Sequence, residues 1–177
     1  NLKIIEDSCE TMLANYEGKK VGSLSDVGCF STYVAHLLVT GVGGIATTNN
    51  KRLATKIRSL MNHGRDEVYL TIDDDDLVTG KKFKNIIAKR FSYVSVGHSA
   101  RCTEMEAAIG LAQLPDLKKI VEQRQKNAEI LIEKLLPLSE FLQLPTVPKG
   151  RSHSFMLFPL LLKKEKKEGL ILHLESH

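Results

Sequence analysis

Apolar positions along this chain fall in short blocks separated by polar or glycine-containing turns. Residues 2–5 are a short apolar run ending at Glu6-Asp7, the pattern of a buried strand in a parallel sheet. Residues 8–15 then place Cys9, Met12 and Leu13 at helical spacing. Residues 16–23, with glycine at the turn, read as a hairpin, and lead through Asp26 and Gly28 into a strand over 28–32. A tight polar passage centred on His36 follows. Glycines at 41, 43 and 44 then turn the chain into a second strand over 45–48. Asn49-Asn50 signals a helix start, with Leu53, Ile57 and Leu60 on one face and Gly64 as the stop.

Residues 65–96 show no clear period and predict an exposed excursion. Thr103-x-x-Glu106 is a capping box that opens a helix over 103–114, with Met105, Ala108, Ile109 and Ala112 on one face. Pro115 is expected to break it and start a second helix. That second helix carries a long apolar stripe from Leu117 to Leu135. Residues 137–150 read as a proline-rich linker, 153–162 as a strand, and 170–177 as a helix cut short. Strands of parallel-sheet type followed by helices give an α/β class.

With 177 residues and 42% hydrophobic content, the chain can bury a real core. Its net charge is +4, but the basic residues are scattered, and the dense cluster at 163–168 mixes both signs. This argues for a solvated face and against a nucleic-acid partner. The acidic run at 73–76 lacks the glycine and distal glutamate of a calcium loop, so it reads as a solvated loop rather than a metal site. Cys9, Cys29 and Cys102 form no C-x-x-C pair; free thiols in a reducing cytosol are the plain reading. No signal peptide is visible, and the longest apolar candidate, 155–162, contains Pro159 and is too short for a bilayer, so neither export nor a membrane is expected. Residue 1 is not Met and stands just before an internal-looking strand, as in a fragment of a longer protein.

Several polar residues stand where chemistry is carried. Asp7 ends a strand, where ligands of open α/β sheets bind; the alternative is a cap on the following helix. Ser31, also at a strand end, can donate to a phosphate oxygen or serve the backbone. His36 can take and give a proton near neutral pH, its unperturbed pKa being roughly 6.5. Lys81, Lys82 and Lys84 either meet a diphosphate or face solvent.

The string from Cys29 to Gly44 resembles the cofactor-lysine segment S-F-x-x-x-K-x-x-x-x-G-E-G-G of the DegT/DnrJ/StrS family, pyridoxal-phosphate enzymes acting on nucleotide-linked keto sugars. Ser31 matches the serine, His36 takes the lysine position, and Val42 replaces the glutamate. Ile5-Glu6-Asp7-Ser8-Cys9-Glu10 is similar to the family's I-E-D-A-x-Q, and residues 97–110 to its G-[aromatic]-N-x-[RK]-x-[TS]-[ED]-x-x-A-A. The resemblance implies an aspartate-aminotransferase-like fold. Residues 1–114 would be the C-terminal part of the cofactor-binding large domain, 115–136 a linking helix and 137–177 the start of a small α+β domain. It implies that Asp7 pairs with the pyridine nitrogen, that Glu10 stands at a cofactor-side position, and that Ser31 binds the phosphate. Ser99 stands where relatives reach across a homodimer to the neighbouring subunit's cofactor, and Arg101 at a basic, substrate-side position.

Histidine for lysine removes the covalent link to the cofactor and keeps acid–base capability. One branch of the family, the keto-sugar 3-dehydratases, carries this replacement and holds pyridoxamine phosphate non-covalently. Three readings follow: a dehydratase-like enzyme on a nucleotide-linked 4-keto-6-deoxysugar, an ordinary sugar aminotransferase, and a non-catalytic homologue acting as a binding or assembly partner.

Overall fold

The computed structural model describes residues 2–67, 78–164 and 166–177, so the acidic run at 73–76 lies outside the described residues. In chain order the first elements are strands β1 (Ile5–Asp7), β2 (Asn15–Tyr16), β3 (Lys19–Lys20), β4 (Val27–Ser31) and β5 (Gly44–Thr47). Helices α1 (Lys51–Met61), α2 (Gly80–Lys89) and α3 (Glu104–Leu135) follow. The chain ends with β6 (Leu142–Gln143), β7 (Leu161–Leu162) and α4 (Lys167–Glu175). Strand β4 is central in a three-stranded sheet, parallel to β1 and antiparallel to β5. Met12, Leu37, Leu38, Leu117 and Val121 form the buried apolar cluster, with Leu13, Phe30 and Met156 packed against it.

Local chemistry accounts for the turns and caps. β2 and β3 pair antiparallel across Glu17 and Gly18, whose φ angles of 47° and 79° are both left-handed, as a two-residue primed turn requires. The Asn50 side chain caps α1 by accepting from the Arg52 and Leu53 amides. Thr103 and Glu106 form the expected capping box on α3, the Glu106 carboxylate accepting the Thr103 N–H at 2.6 Å.

Five expectations are corrected. The first strand is Ile5–Asp7 rather than 2–5, and Ile4 and Ile5 are exposed. Residues 8–15 are two successive turns, not a helix, and Leu13 has φ 67°. Their backbone groups are taken by distant partners: Asn15 N–H donates to the Ser152 hydroxyl, and the buried Ser154 hydroxyl donates to the Met12 carbonyl. Within 65–96 the helix α2 forms, buries Ile86, and sends Lys89 to the buried Asp66 carboxylate at 2.8 Å.

Pro115 does not break α3, which runs unbroken for 32 residues. Its buried positions Gly110, Leu117, Val121 and Ala128 lie on both sides of the proline, so packing of one continuous face overrides the local penalty. In 153–162 only Leu161–Leu162 is strand. Phe155 has φ 48°, and Arg124 donates to the carbonyls of Phe155 and Met156 at 3.3 Å each, occupying groups a ladder would need.

Candidate functional site

Strand register fixes the first part of the site. Asp7 lies opposite Cys29, and Ser31 follows two residues further along β4, so Asp7, Cys29 and Ser31 belong to one face of the sheet. About 6–7 Å of strand separates the Asp7 and Ser31 levels. On β5 the same face carries Ala46 opposite Cys29 and Gly44 opposite Ser31, both nearly without side chain, which leaves space over it. Glu6 and Phe30 belong to the other face. There the Glu6 carboxylate accepts from the Ser8 hydroxyl and from the Gly22 and Leu24 amides.

Asp7 is exposed and accepts the Cys9 backbone N–H at 3.2 Å. It therefore caps a turn rather than a helix. Hydrogen bonding from the Cys9 thiol, with the Cys9 amide adding to it, holds the Asp7 carboxyl below the usual aspartate range, so it is ionised at neutral pH. The same contact, followed by burial, pushes the Cys9 thiol up to about 11. Ser31 Oγ accepts the Tyr33 N–H at 3.2 Å, which leaves its own proton available to a ligand.

His36 sits in a loop over 32–43 that is closed at its base. Thr32 N–H donates to the Gly43 carbonyl, Thr40 N–H donates to the Thr32 carbonyl, and the two threonine hydroxyls lie 2.7 Å apart. Leu37 and Leu38, next to His36, are buried in the core cluster. The His36 N–H donates to the Tyr33 carbonyl, and His36 Nδ1 lies 3.2 Å from that same oxygen. A carbonyl only accepts, so this second contact makes Nδ1 a donor, and among the described residues no hydrogen bond engages Nε2. The Tyr33 ring meets the imidazole edge-on, centroids 6.3 Å apart.

Ser99 and Arg101 belong to a separate strap along the end of α1. Ser99 bridges to Asn62, and Arg101 lies 3.4 Å from His63 Nε2. Among the described residues no hydrogen bond or ion pair joins Ser99, Arg101 or the exposed Glu10 to Asp7, Ser31 or His36. A cavity of about 420 Å³ lined by Arg52, Lys56, Arg65 and Val94 lies against α1 and contains none of these residues. Among the described residues no cluster of three or more His, Cys, Asp or Glu is placed to hold a metal. No described helix is long and apolar enough to cross a membrane.

Two contacts of the loop that carries His36 were given no role by the sequence. One is the Tyr33 carbonyl, which fixes the imidazole and has no sequence signal. The other is Gln113, whose side chain meets both backbone groups of Val39. Its signal was a polar residue within the stripe formed by Gly110, Leu117 and Val121.

The DegT/DnrJ/EryC1/StrS aminotransferase family matches residues 1–177. The chain is similar to the lipopolysaccharide biosynthesis protein RfbH of Salmonella typhimurium, with 35% identity over 171 residues, covering 93% of this chain and 39% of that protein. It is 33% identical over 130 residues to the GDP-4-keto-6-deoxy-D-mannose 3-dehydratase of Yersinia pseudotuberculosis, covering 73% of this chain and 32% of that one. The solved structure of the E. coli GDP-4-keto-6-deoxy-D-mannose-3-dehydratase with bound hydrated PLP superposes with a TM-score of 0.81 at 25% identity, over 99% of this chain and 44% of that one. This chain thus spans less than half of the length of each of these relatives.

Proposed function

Because this chain belongs to the DegT/DnrJ/EryC1/StrS aminotransferase family, whose fold it shares, we propose that it is part of a pyridoxal- or pyridoxamine-phosphate enzyme that removes the C3 hydroxyl from a nucleotide-linked 4-keto-6-deoxysugar. The observation that carries this reading is His36: it stands in the lysine position of the family segment, with Nδ1 tied to the Tyr33 carbonyl and Nε2 unengaged among the described residues. Relatives that act on such sugars, and the dehydratase solved with hydrated PLP, support the substrate and cofactor class.

The residues present fit the cofactor. Asp7 is an ionised, exposed carboxylate that can accept a pyridinium N–H, and Ser31 keeps a free hydroxyl proton for a phosphate oxygen, with only Gly44 and Ala46 beside them on β5. Bound pyridoxamine phosphate supplies an amine and an electron-accepting ring. Asp7 keeps the ring nitrogen protonated. His36 Nε2 accepts a proton and returns it to the departing hydroxyl of the sugar. Glu10, at its position in the family segment, is in this reading a further cofactor-side group, Ser99 serves the neighbouring subunit of a homodimer, and Arg101 meets the substrate. In this reading residues 1–114 complete the cofactor domain, 115–136 link it to the small domain, and 137–177 begin that domain, in a cytoplasmic enzyme.

The test is to mix the full-length protein carrying this chain with pyridoxamine phosphate and with pyridoxal phosphate. Absorbance and borohydride reduction then report the mode of binding. A dialysable cofactor that resists reductive fixation is expected. A reducible covalent link points instead to the ordinary aminotransferase, and no binding of either points to a non-catalytic homologue.

A further inference from the structure

We infer that Gln113 is a positioning residue for His36, acting through the backbone of Val39; the inference rests on the acid–base role proposed for His36. Gln113 is half-buried on α3. Its Oε1 accepts the Val39 N–H at 3.1 Å, and its Nε2 donates to the Val39 carbonyl at 2.5 Å and to the Ile109 carbonyl at 2.9 Å. One side chain thus engages Val39 as a paired strand would, by donor and acceptor together. Val39 lies three residues after His36, and between them Leu37 and Leu38 are buried against Leu117 and Val121.

The four α3 positions 110, 113, 117 and 121 fall on one helical stripe, and this stripe backs the downstream limb of the loop. At Gly110 the approach is tight: a Cβ there would lie 3.0 Å from the Thr40 methyl. Leucine packing at 37 and 38 resists pulling the loop off the helix but is non-directional. The Gln113 amide adds the directional part, fixing the register of loop against helix and so the height at which the imidazole is presented. The donor–acceptor pair is specific to an amide of this length. Leucine offers neither group, asparagine is one carbon shorter, and an ionised glutamate can accept from Val39 N–H but confronts the Val39 and Ile109 carbonyls with a negative charge.

That last contrast supplies the test. In the full-length protein, Gln113→Leu is expected to speed hydrogen exchange across residues 38–41. It should also lower kcat on the keto sugar by about 10- to 100-fold, with KM and pyridoxamine-phosphate affinity nearly unchanged. Gln113→Glu is expected to show the same defect at neutral pH and to approach wild type as the pH falls, because a protonated carboxyl again donates and accepts. A pH-independent deficit in Gln113→Glu relative to wild type, or unchanged exchange and kcat in Gln113→Leu, overturns the inference. If the wild-type protein turns over no such sugar, the proposed reaction falls by itself. The clamp is then decided by exchange and by the rate at which diethylpyrocarbonate modifies His36: unchanged values in Gln113→Leu reject it, and raised values that return towards wild type in acidified Gln113→Glu sustain it.

Discussion

Glu6 and Gly22, sixteen residues apart, are joined by a hydrogen bond in which the Gly22 N–H donates to the Glu6 carboxylate at 2.5 Å. The Gly22 carbonyl in turn accepts the Thr47 hydroxyl at 2.6 Å, so this glycine is held from β1 and from β5 at once. Partial burial pushes the Glu6 carboxyl up, but the hydrogen bonds from Ser8, Gly22 and Leu24 outweigh it and leave the group below its ordinary 4.5. A carboxyl lowered on folding contributes stability that is complete above the unfolded value and is lost as pH falls through the folded one. Glu6→Ala is therefore expected to cost about 1–3 kcal/mol at pH 7, by stranding donors that now have a partner. The wild-type margin over the variant should shrink below pH 4.5. Urea melts of both proteins at pH 7 and pH 3.5 check this.

Gly22 and Gly28 pack backbone against backbone. A Cβ on Gly28 would fall 2.4 Å from the Gly22 Cα, and one on Gly22 would meet the Phe30 ring at the same distance, with φ at 82°. Gly28→Ala is expected to destabilise by about 1–3 kcal/mol, since backbone cannot step aside as a flexible side chain does. Gly169, in the exposed α4 helix with nothing among the described residues within 4 Å of its would-be Cβ, is the contrasting site. Gly169→Ala should stabilise by about 0.5–1 kcal/mol. Opposite shifts in thermal midpoint are the outcome to look for; equal shifts refute the steric account.

Elements whose signals are local were legible in the sequence. The hairpin needed Gly18 at a left-handed position, α1 needed Asn50, and α3 needed Thr103 with Glu106, all within four residues of the structure they specify. What could not be read depends on partners far along the chain. Residues 8–15 have helical spacing, but Ser152 and Ser154 claim their backbone groups across more than 130 residues. Pro115 looks like a break until the buried face on both its sides is seen. Of the candidate site, Asp7, Ser31 and His36 were visible as residues. That Asp7 and Ser31 share a face follows only from the register of β1 on β4, which the hydrophobic pattern does not encode.

Asp7 and Cys9 report on each other. With the thiol pushed up to about 11, by Asp7 first and by burial second, Cys9 carries about a hundredfold less thiolate at pH 8 than a thiol titrating near 9. Cys9 should therefore be alkylated by iodoacetamide far more slowly than an unperturbed thiol, in peptides mapped by mass spectrometry. Asp7→Asn removes the carboxylate charge that disfavours the thiolate, and is expected to speed Cys9 alkylation at pH 8 by about tenfold or more. An unchanged rate would mean that Asp7 is not ionised beside the thiol, which also weakens its proposed match to a pyridinium nitrogen.

Replacing His36 separates the two things a side chain at this position can do. His36→Asn keeps a polar group of similar size but cannot shuttle a proton, and in the proposed reaction it is expected to lower kcat by about 10²- to 10⁴-fold while cofactor binding persists. His36→Lys restores an amine at the family's lysine position. With Leu37 and Leu38 anchoring the next turn and the loop base closed by Thr32 and Thr40, that amine should be presented where the imidazole now stands. The expected result is a covalent pyridoxal-phosphate adduct that borohydride fixes on residue 36, together with loss of hydroxyl elimination. Retained elimination in His36→Asn would show that another group handles the proton. A His36→Lys protein that binds pyridoxal phosphate without any reducible link would place residue 36 outside reach of the cofactor, and the reading built on it would fail.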